Sequence, residues 1–324
     1  MKYYLAPMEG ITTYIYRNAY AHYFGQIDKY FTPFIANKKM SSREVRDILP
    51  EHNKGINLVP QILTNKVEDF LSIAERLASY GYQTVNLNLG CPSGTVTAKK
   101  RGSGFLSVPK ELDAFLYEIY EKCPLKISIK TRIGISQLEE WDVLMDIYSK
   151  YPMDELIIHT RLQQEFYSGK THPEAYAHAA SILSCPETPC GNAIPICYNG
   201  DITSINSQAL LLSELADSGC HCVDAIMIGR GIIRNPGLPG ELCGSPLPDR
   251  KQHLLDFHNE ILEEYRKIMP GDLPVLFKMK DLWTYMSQCF TNSEKYLKKI
   301  RKANRIPEYE IAVNALFREQ EIID

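Results

Sequence analysis

Cys91 is the residue of this chain best placed to do chemistry. It stands in Asn86-Leu-Asn-Leu-Gly-Cys-Pro-Ser93, where Thr84 and Val85 lead in as a short strand. Gly90 and Pro92 break that strand around the thiol, so Cys91 is held on a loop at a strand exit. Asn86 and Asn88 alternate with leucines, which points both carboxamides to one side of the strand. Such amides suit the hydrogen-bonding of a polar, planar ligand. The glycine-rich return Arg101-Gly-Ser-Gly-Phe105 lets backbone come close to a neighbour. Taken alone, Cys91 is either a reactive thiol or a buried structural cysteine beside a turn.

Polar groups recur at the ends of other apolar runs. Ala6-Pro-Met-Glu-Gly10 is small and turn-forming, suited to backbone contact with a planar ring. Gln61 is a donor and acceptor that an apolar core would not choose. Lys130 and Arg132 fall on the same side of their run, and a lysine ending a buried strand commonly serves an anion or an electron-rich ring. His159-Thr-Arg161 follows; by itself His159 reads as a satisfied core histidine. Asn199-Gly-Asp201 and Gly229-Arg-Gly231, the latter just ahead of a short helix, fit a phosphate site in that order, although each is a surface turn in isolation.

Eight apolar runs must carry these groups: Tyr3–Met8, Tyr30–Ile35, Leu58–Leu63, Thr84–Leu89, Lys126–Thr131, Glu155–Thr160, Ile194–Asn199 and Asp224–Gly229. Amphipathic stretches at Lys66–Tyr80, Lys110–Lys122, Glu139–Lys150 and Ser204–Ser218 separate several of them. Strands alternating with helices imply parallel pairing, and eight repeats predict an α/β fold closed as a (β/α)8 TIM barrel. An open doubly wound sheet is the alternative, but the first strand lacks a Gly-x-Gly-x-x-Gly turn. In a barrel the strand ends above converge on one face. After Arg230 a Pro/Gly-rich connector follows, and the rest reads as four helices, Asp249–Ile268, Leu273–Phe290, Ser293–Lys302 and Pro307–Ile323. The expected organisation is a barrel domain over 1–240 and an all-helical C-terminal domain over 249–324.

The 324 residues, 44% hydrophobic and 23% charged, are ordinary for a soluble protein. The net charge of −3 neither suggests nor excludes a nucleic-acid partner. Nine cysteines without a regular framework predict free thiols in a reducing cytoplasm. The segment Ser184–Gly191, with Cys185 and Cys190, and Cys220-His-Cys222 fit no paired zinc spacing; they read as a solvent loop with reduced thiols, and no metal is expected. No apolar run approaches the ~20 residues needed to span a bilayer, and nothing points to an obligate protein partner. Lys295–Arg305 holds six basic residues in eleven on a predicted helix, with Lys295, Lys298 and Lys302 on one side and Lys299 nearby. Alone, that is a solvated helix face.

The ordered set resembles the tRNA-dihydrouridine synthases, flavin enzymes that reduce selected uridines in tRNA. The matching residues are Leu5-Ala-Pro-Met-Glu-Gly10, Asn88-Leu-Gly-Cys-Pro-Ser93, Gly102-Ser-Gly-Phe-Leu106, Lys130-Thr-Arg-Ile-Gly134, His159-Thr-Arg161, Asn199-Gly-Asp201 and Met227-Ile-Gly-Arg-Gly231. The likeness continues, less sharply, into Phe277–Met286. It implies that Pro7, Met8, Glu9, Gln61 and Lys130 meet an FMN ring. His159, Asn199, Gly200, Asp201, Gly229 and Arg230 would line its ribityl chain and phosphate. It further implies NADPH as reductant, hydride delivery to C6 of uridine and Cys91 as general acid toward C5. Asn88, Arg132 and Arg161 would hold the substrate nucleotide, with Lys295, Lys298, Lys299 and Lys302 on tRNA phosphates. Two rivals stand beside it: a dihydroorotate-dehydrogenase-like FMN oxidoreductase, whose barrels also carry an Asn-x-x-Cys-Pro loop, and a non-catalytic tRNA-binding module. The Ala-Pro-Met start, Gly229-Arg-Gly231 and the basic helical region argue against the first, and the intact Cys91, Lys130 and phosphate set argues against the second.

Overall fold

A computed structural model describes residues 1–184 and 188–323. Its strands are β1 (Lys2–Leu5), β2 (Lys29–Phe31), β3 (Leu58–Val59), β4 (Gln61–Ile62), β5 (Thr84–Leu89), β6 (Lys126–Arg132), β7 (Leu156–His159), β8 (Ile196–Asn199) and β9 (Ala225–Ile228). They form one parallel sheet in the order β3-β2-β1-β9-β8-β7-β6-β5-β4. The run Leu58–Leu63, expected as one strand, is divided at Pro60, which has no N–H to give a ladder. β3 pairs with β2 and β4 with β5, so the two ends of the sheet are joined through a single proline. Beyond β2, Ile35 continues the pairing: its N–H donates to Gln61 O (2.8 Å), and Leu63 N–H donates to Ile35 O (2.9 Å). Nine segments thus occupy eight places in a barrel.

The alternation of side chains fills the barrel in two layers. Tyr4, Phe31, Ile157, Cys197 and Met227 pack inside as an apolar plug. At the N-terminal end of the strands Glu155 accepts from Tyr4 Oη (2.7 Å) and Lys29 Nζ (3.2 Å). Polar residues take over toward the C-terminal ends. Outside, the expected helices appear at Val67–Ser79, Pro109–Lys122, Glu140–Tyr148 and Ile205–Asp217. The first buries Phe70, Ile73, Ala74 and Leu77, an i, i+3, i+4, i+7 stripe against the sheet. Helices at Tyr14–Tyr23 and Pro173–Leu183 complete the wall.

Four longer helices follow the connector: Arg250–Ile268, Asp272–Met286, Glu294–Lys302 and Ile306–Glu319. The last has Pro307 in its first turn and ends before Ile323, because Gln320 turns extended and Ile322 bridges to Phe290. These helices share apolar core with the barrel. Phe257 meets Tyr16 edge-on (ring centroids 5.3 Å, 83°) and Phe24 likewise (5.2 Å, 84°). Tyr20 Oη donates to Pro236 O (2.8 Å), and the Thr13 and Tyr265 hydroxyls are 3.0 Å apart. No helix among the described residues is long and apolar enough to cross a membrane.

Candidate active site

The C-terminal ends of the strands surround a cavity of about 740 Å³. Pro7, Met8 and Glu9 enter it after β1, Gln61 from β4, Asn88, Gly90 and Cys91 from β5, and Lys130 from β6. His159 ends β7, Asn199, Gly200 and Asp201 follow β8, and Gly229 and Arg230 follow β9. Seven strand ends that are distant in sequence therefore share one wall, as the barrel topology requires.

A chain of amides fixes the Cys91 loop. Gln61 Nε2 donates to Asn86 Oδ1 (2.8 Å), and Asn86 Nδ2 donates to Ser128 Oγ (2.9 Å). Asn88 Nδ2 donates to Gln61 Oε1 (2.7 Å), while Asn88 Oδ1 accepts from the N–H groups of Gly90 and Cys91, both at 3.0 Å. The carbonyl of Cys91 accepts from Ser103 N (3.1 Å) and Ser103 Oγ (3.0 Å). Backbone on both sides of the thiol is thus tied down. Asn88 does this through groups that the sequence reading had reserved for substrate.

Gly102 lets the return loop approach so closely. Its φ is +55°, and a Cβ there would lie 2.7 Å from Cys91 O. Gly102→Ala is expected to push the thiol out of register. Stability should drop by about 1–3 kcal/mol. Thermal unfolding of the variant beside the wild type checks this, and an unchanged midpoint would show that the loop absorbs the added methyl.

Electrostatically the cavity is positive, and it holds a thiol that keeps its proton. Burial pushes the Cys91 thiol up, against the pull of the Ser93 N–H, Arg132 and Lys130, so it keeps its proton at neutral pH. Burial, followed by the charge of Arg132, brings Lys130 down to about 7. Lys130 Nζ has no hydrogen-bond or ion-pair partner among the described residues, so its donors are left for a ligand. Burial and the cations Lys130, Arg132, Arg161 and Arg230 hold His159 neutral. Asp201 binds Arg161 Nη1 (3.1 Å) and Arg230 Nη2 (2.7 Å). Burial opposes its ionisation, but these two arginines outweigh it and keep the carboxyl below its usual range. The surplus of fixed positive charge suits an anionic group such as a phosphate.

Two arginines expected at the substrate are turned elsewhere. Arg132 is fully buried and donates to three carbonyls: Gly90 (3.0 Å), Leu162 (2.7 Å) and Phe166 (2.6 Å). It does not line the cavity and instead joins the Cys91 loop to the segment after β7. Arg161 donates to Gly169 O (2.7 Å) and Asp201, again behind the wall. Sequence reasoning missed Tyr167, Tyr285 and Gln288, which do line the cavity. Phe166 has φ +49°, rare for a bulky residue, and it delivers Tyr167 beside Arg132 (5.3 Å from the ring centroid), Arg230 (5.6 Å) and His159. The aromatic in Tyr167-Ser-Gly169 was the available signal. Tyr285 and Gln288 come from the C-terminal helical region; Tyr285 lies within the Phe277–Met286 likeness, whereas no local motif marks Gln288.

Away from the cavity, Lys295, Lys298, Lys299 and Lys302 are exposed on Glu294–Lys302. Lys295 lies 3.9 Å from Glu319, whereas the other three have no acidic partner among the described residues. No group of His, Cys, Asp and Glu able to hold a metal occurs among the described residues. Cys190 is half-buried, Cys220 buried and Cys222 exposed, and Cys185 falls outside the described residues.

Comparison with known proteins agrees with this architecture. The family model described as dihydrouridine synthase matches residues 4–322. A probable tRNA-dihydrouridine synthase 2 of Bacillus subtilis is 30% identical over 286 residues, covering 85% of this chain and 83% of that protein. A probable tRNA-dihydrouridine synthase of Staphylococcus epidermidis is 30% identical over 272 residues, covering 81% and 78%. One from Staphylococcus aureus is 28% identical over 271 residues, with the same coverage. With the family model spanning both the barrel and the helices that close over it, this chain belongs to the dihydrouridine synthase family.

Proposed function

We propose that this protein is a cytoplasmic tRNA-dihydrouridine synthase that uses FMN and NADPH to saturate the C5=C6 bond of specific uridines. The observation that carries this reading is one cavity wall uniting the Cys91 thiol with the Arg230–Asp201 group and Lys130, which has no partner among the described residues. The chemistry of that wall fits FMN. Lys130 offers free donors to the electron-rich edge of the ring. Pro7, Met8 and Glu9 present the short strand-one turn, and Gln61 supplies an amide at the barrel floor. His159, Asn199, Gly200, Asp201, Gly229 and Arg230, which line the same cavity, would hold its ribityl chain and phosphate. FMN bound there and reduced by NADPH would supply the hydride for uracil C6.

The protein's own part is to admit the base, orient it and give a proton. A stacked uridine cannot reach the barrel mouth, so it must leave the tRNA stack. Cys91 then transfers its Sγ proton to C5 as carbanion character develops there, and the thiolate formed faces Lys130 and Arg132. Hydride at C6 and proton at C5 together complete dihydrouridine. Asn88 acts by holding Cys91, Tyr167 offers an aromatic face beside the base, and Arg132 and Arg161 shape the wall. Residues 249–324 act as the tRNA-binding domain, with Lys295, Lys298, Lys299 and Lys302 on phosphates.

The test is tRNA from a strain lacking the gene, mapped for dihydrouridine before and after return of the gene. Loss and restoration at defined positions supports the reading, and an unchanged map overturns it. Oxidation of dihydroorotate by the purified yellow protein would favour the dihydroorotate-dehydrogenase-like rival. A colourless protein that cannot be reconstituted with FMN would favour the non-catalytic one.

A further inference from the structure

The loops after β2, β4 and β5 bring a second group of cations to the barrel mouth. Lys39, Lys66 and Lys99 are exposed, and Arg101 is half-buried. None of the four has an acidic partner among the described residues, although neighbouring Lys38 and Lys100 are paired with Asp69 (3.1 Å) and Glu111 (3.3 Å). The loops are joined physically: Asn65 Nδ2 donates to Lys99 O (3.1 Å), and Ile35 and Leu63 share ladder bonds. Arg101 Nε is buried and has no hydrogen-bond partner, a donor left over at a cost the fold does not relieve. The next residues, Gly102 and Ser103, clamp the carbonyl of Cys91. In a chain of net charge −3 such a local excess is conspicuous.

Its place in the ring is informative. β5 lies four strands from β9 in either direction, so its loop faces β9 across the mouth. On the β9 side stand Arg230, Arg234 and the helical residues Tyr285 and Gln288. The basic helix Glu294–Lys302 follows on that same chain segment. Cations therefore flank the mouth on two opposite sides. None of the exposed large apolar side chains lies on the β2, β4 and β5 loops, which argues against an apolar protein or lipid partner.

Resting on the function proposed above, we infer that Lys39, Lys66, Lys99 and Arg101 form a second RNA-backbone surface, gripping phosphates on the Cys91 side of the extruded uridine. The basic helix then holds a more distant part of the same RNA. Two anchors across the mouth would keep the strand from following its base as the base is pulled inward.

The experiment measures binding of an unmodified tRNA transcript to the flavin-loaded, full-length protein over a series of salt concentrations. The variant is Lys39→Ser/Lys66→Ser/Lys99→Ser, with Arg101→Ser made separately because that side chain is partly packed. Each lost phosphate contact lowers the slope of log affinity against log salt by about 1. The triple variant should therefore lose ~3 in slope and at least ~10-fold in affinity, with KM raised, kcat at saturating tRNA retained and the flavin spectrum unchanged. Lys126→Ser, at the opposite end of the barrel, should change nothing. An unaltered slope in the triple variant overturns the rim while leaving the function intact. An equal loss in Lys126→Ser also overturns it, since total charge would then be responsible. A wild-type protein that ignores the transcript overturns the parent reading and the rim together.

Discussion

Cys91→Ala is expected to abolish dihydrouridine formation while the protein stays yellow and still binds tRNA. The split follows from how the loop is held. Cys91 is fixed through its backbone, by Asn88 Oδ1 on its N–H and by Ser103 on its carbonyl, and alanine keeps both. What alanine removes is the proton. General-acid assistance is typically worth 10²–10⁴ in rate, so single-turnover product formation should fall by about that factor. The pH dependence has a definite sign. Burial raises the thiol above its ordinary range, so wild-type turnover should persist through neutral pH and decline as alkaline pH deprotonates it. In Cys91→Ala that decline should vanish along with the rate. Turnover near the wild-type level would mean that the C5 proton comes from another group.

Lys130→Met should weaken FMN retention by about 10–100-fold, the second largest effect. Methionine keeps an unbranched side chain of similar length but deletes the side-chain donors of this position, which no group among the described residues satisfies. Burial, with the charge of Arg132, brings the Lys130 ammonium down to about 7 before a ligand binds. An electron-rich ligand edge stabilises the charged form, so FMN binding above about pH 7 must draw a proton from solution. FMN affinity should accordingly fall as pH rises through that range. Calorimetry in buffers of differing ionisation enthalpy measures the uptake directly. In Lys130→Met both the uptake and the pH dependence should disappear; if they persist, another group is titrating.

Much of this geometry was legible in the sequence because barrels concentrate information at strand ends. Asn88 and Cys91, Lys130, His159, Asn199 and Arg230 each sit within two residues of the end of an apolar run, and parallel closure then obliges them to meet. The missed features depend on partners remote in sequence. Arg132 falls on the inward side as alternation predicts, yet its guanidinium is taken by carbonyls 30 and 34 residues away. No local pattern records that loop. Pro60 was visible, but only the pairing of β3 and β4 with different neighbours shows that it closes the ring. Tyr285 and Gln288 reach the cavity because the helix Asp272–Met286 and the turn after it pack on the short helix Arg230–Arg234, a contact that spacing within either helix cannot specify. Helix boundaries fared better, since apolar periodicity at Val67–Ser79 and proline at the start of Ile306–Glu319 are local signals.

The aromatic seam at Phe257 also governs how the protein can be divided. Tyr16, Tyr20 and Phe24 are buried against it, and Phe257 is itself fully buried. Cutting the chain in the Pro/Gly-rich connector would uncover rings on both fragments at once. The change of composition there separates two styles of secondary structure, whereas the apolar core runs across it. Either fragment made alone is expected to expose these rings, and a chimera that exchanges the helical region is expected to need a matching Tyr14–Tyr23 surface.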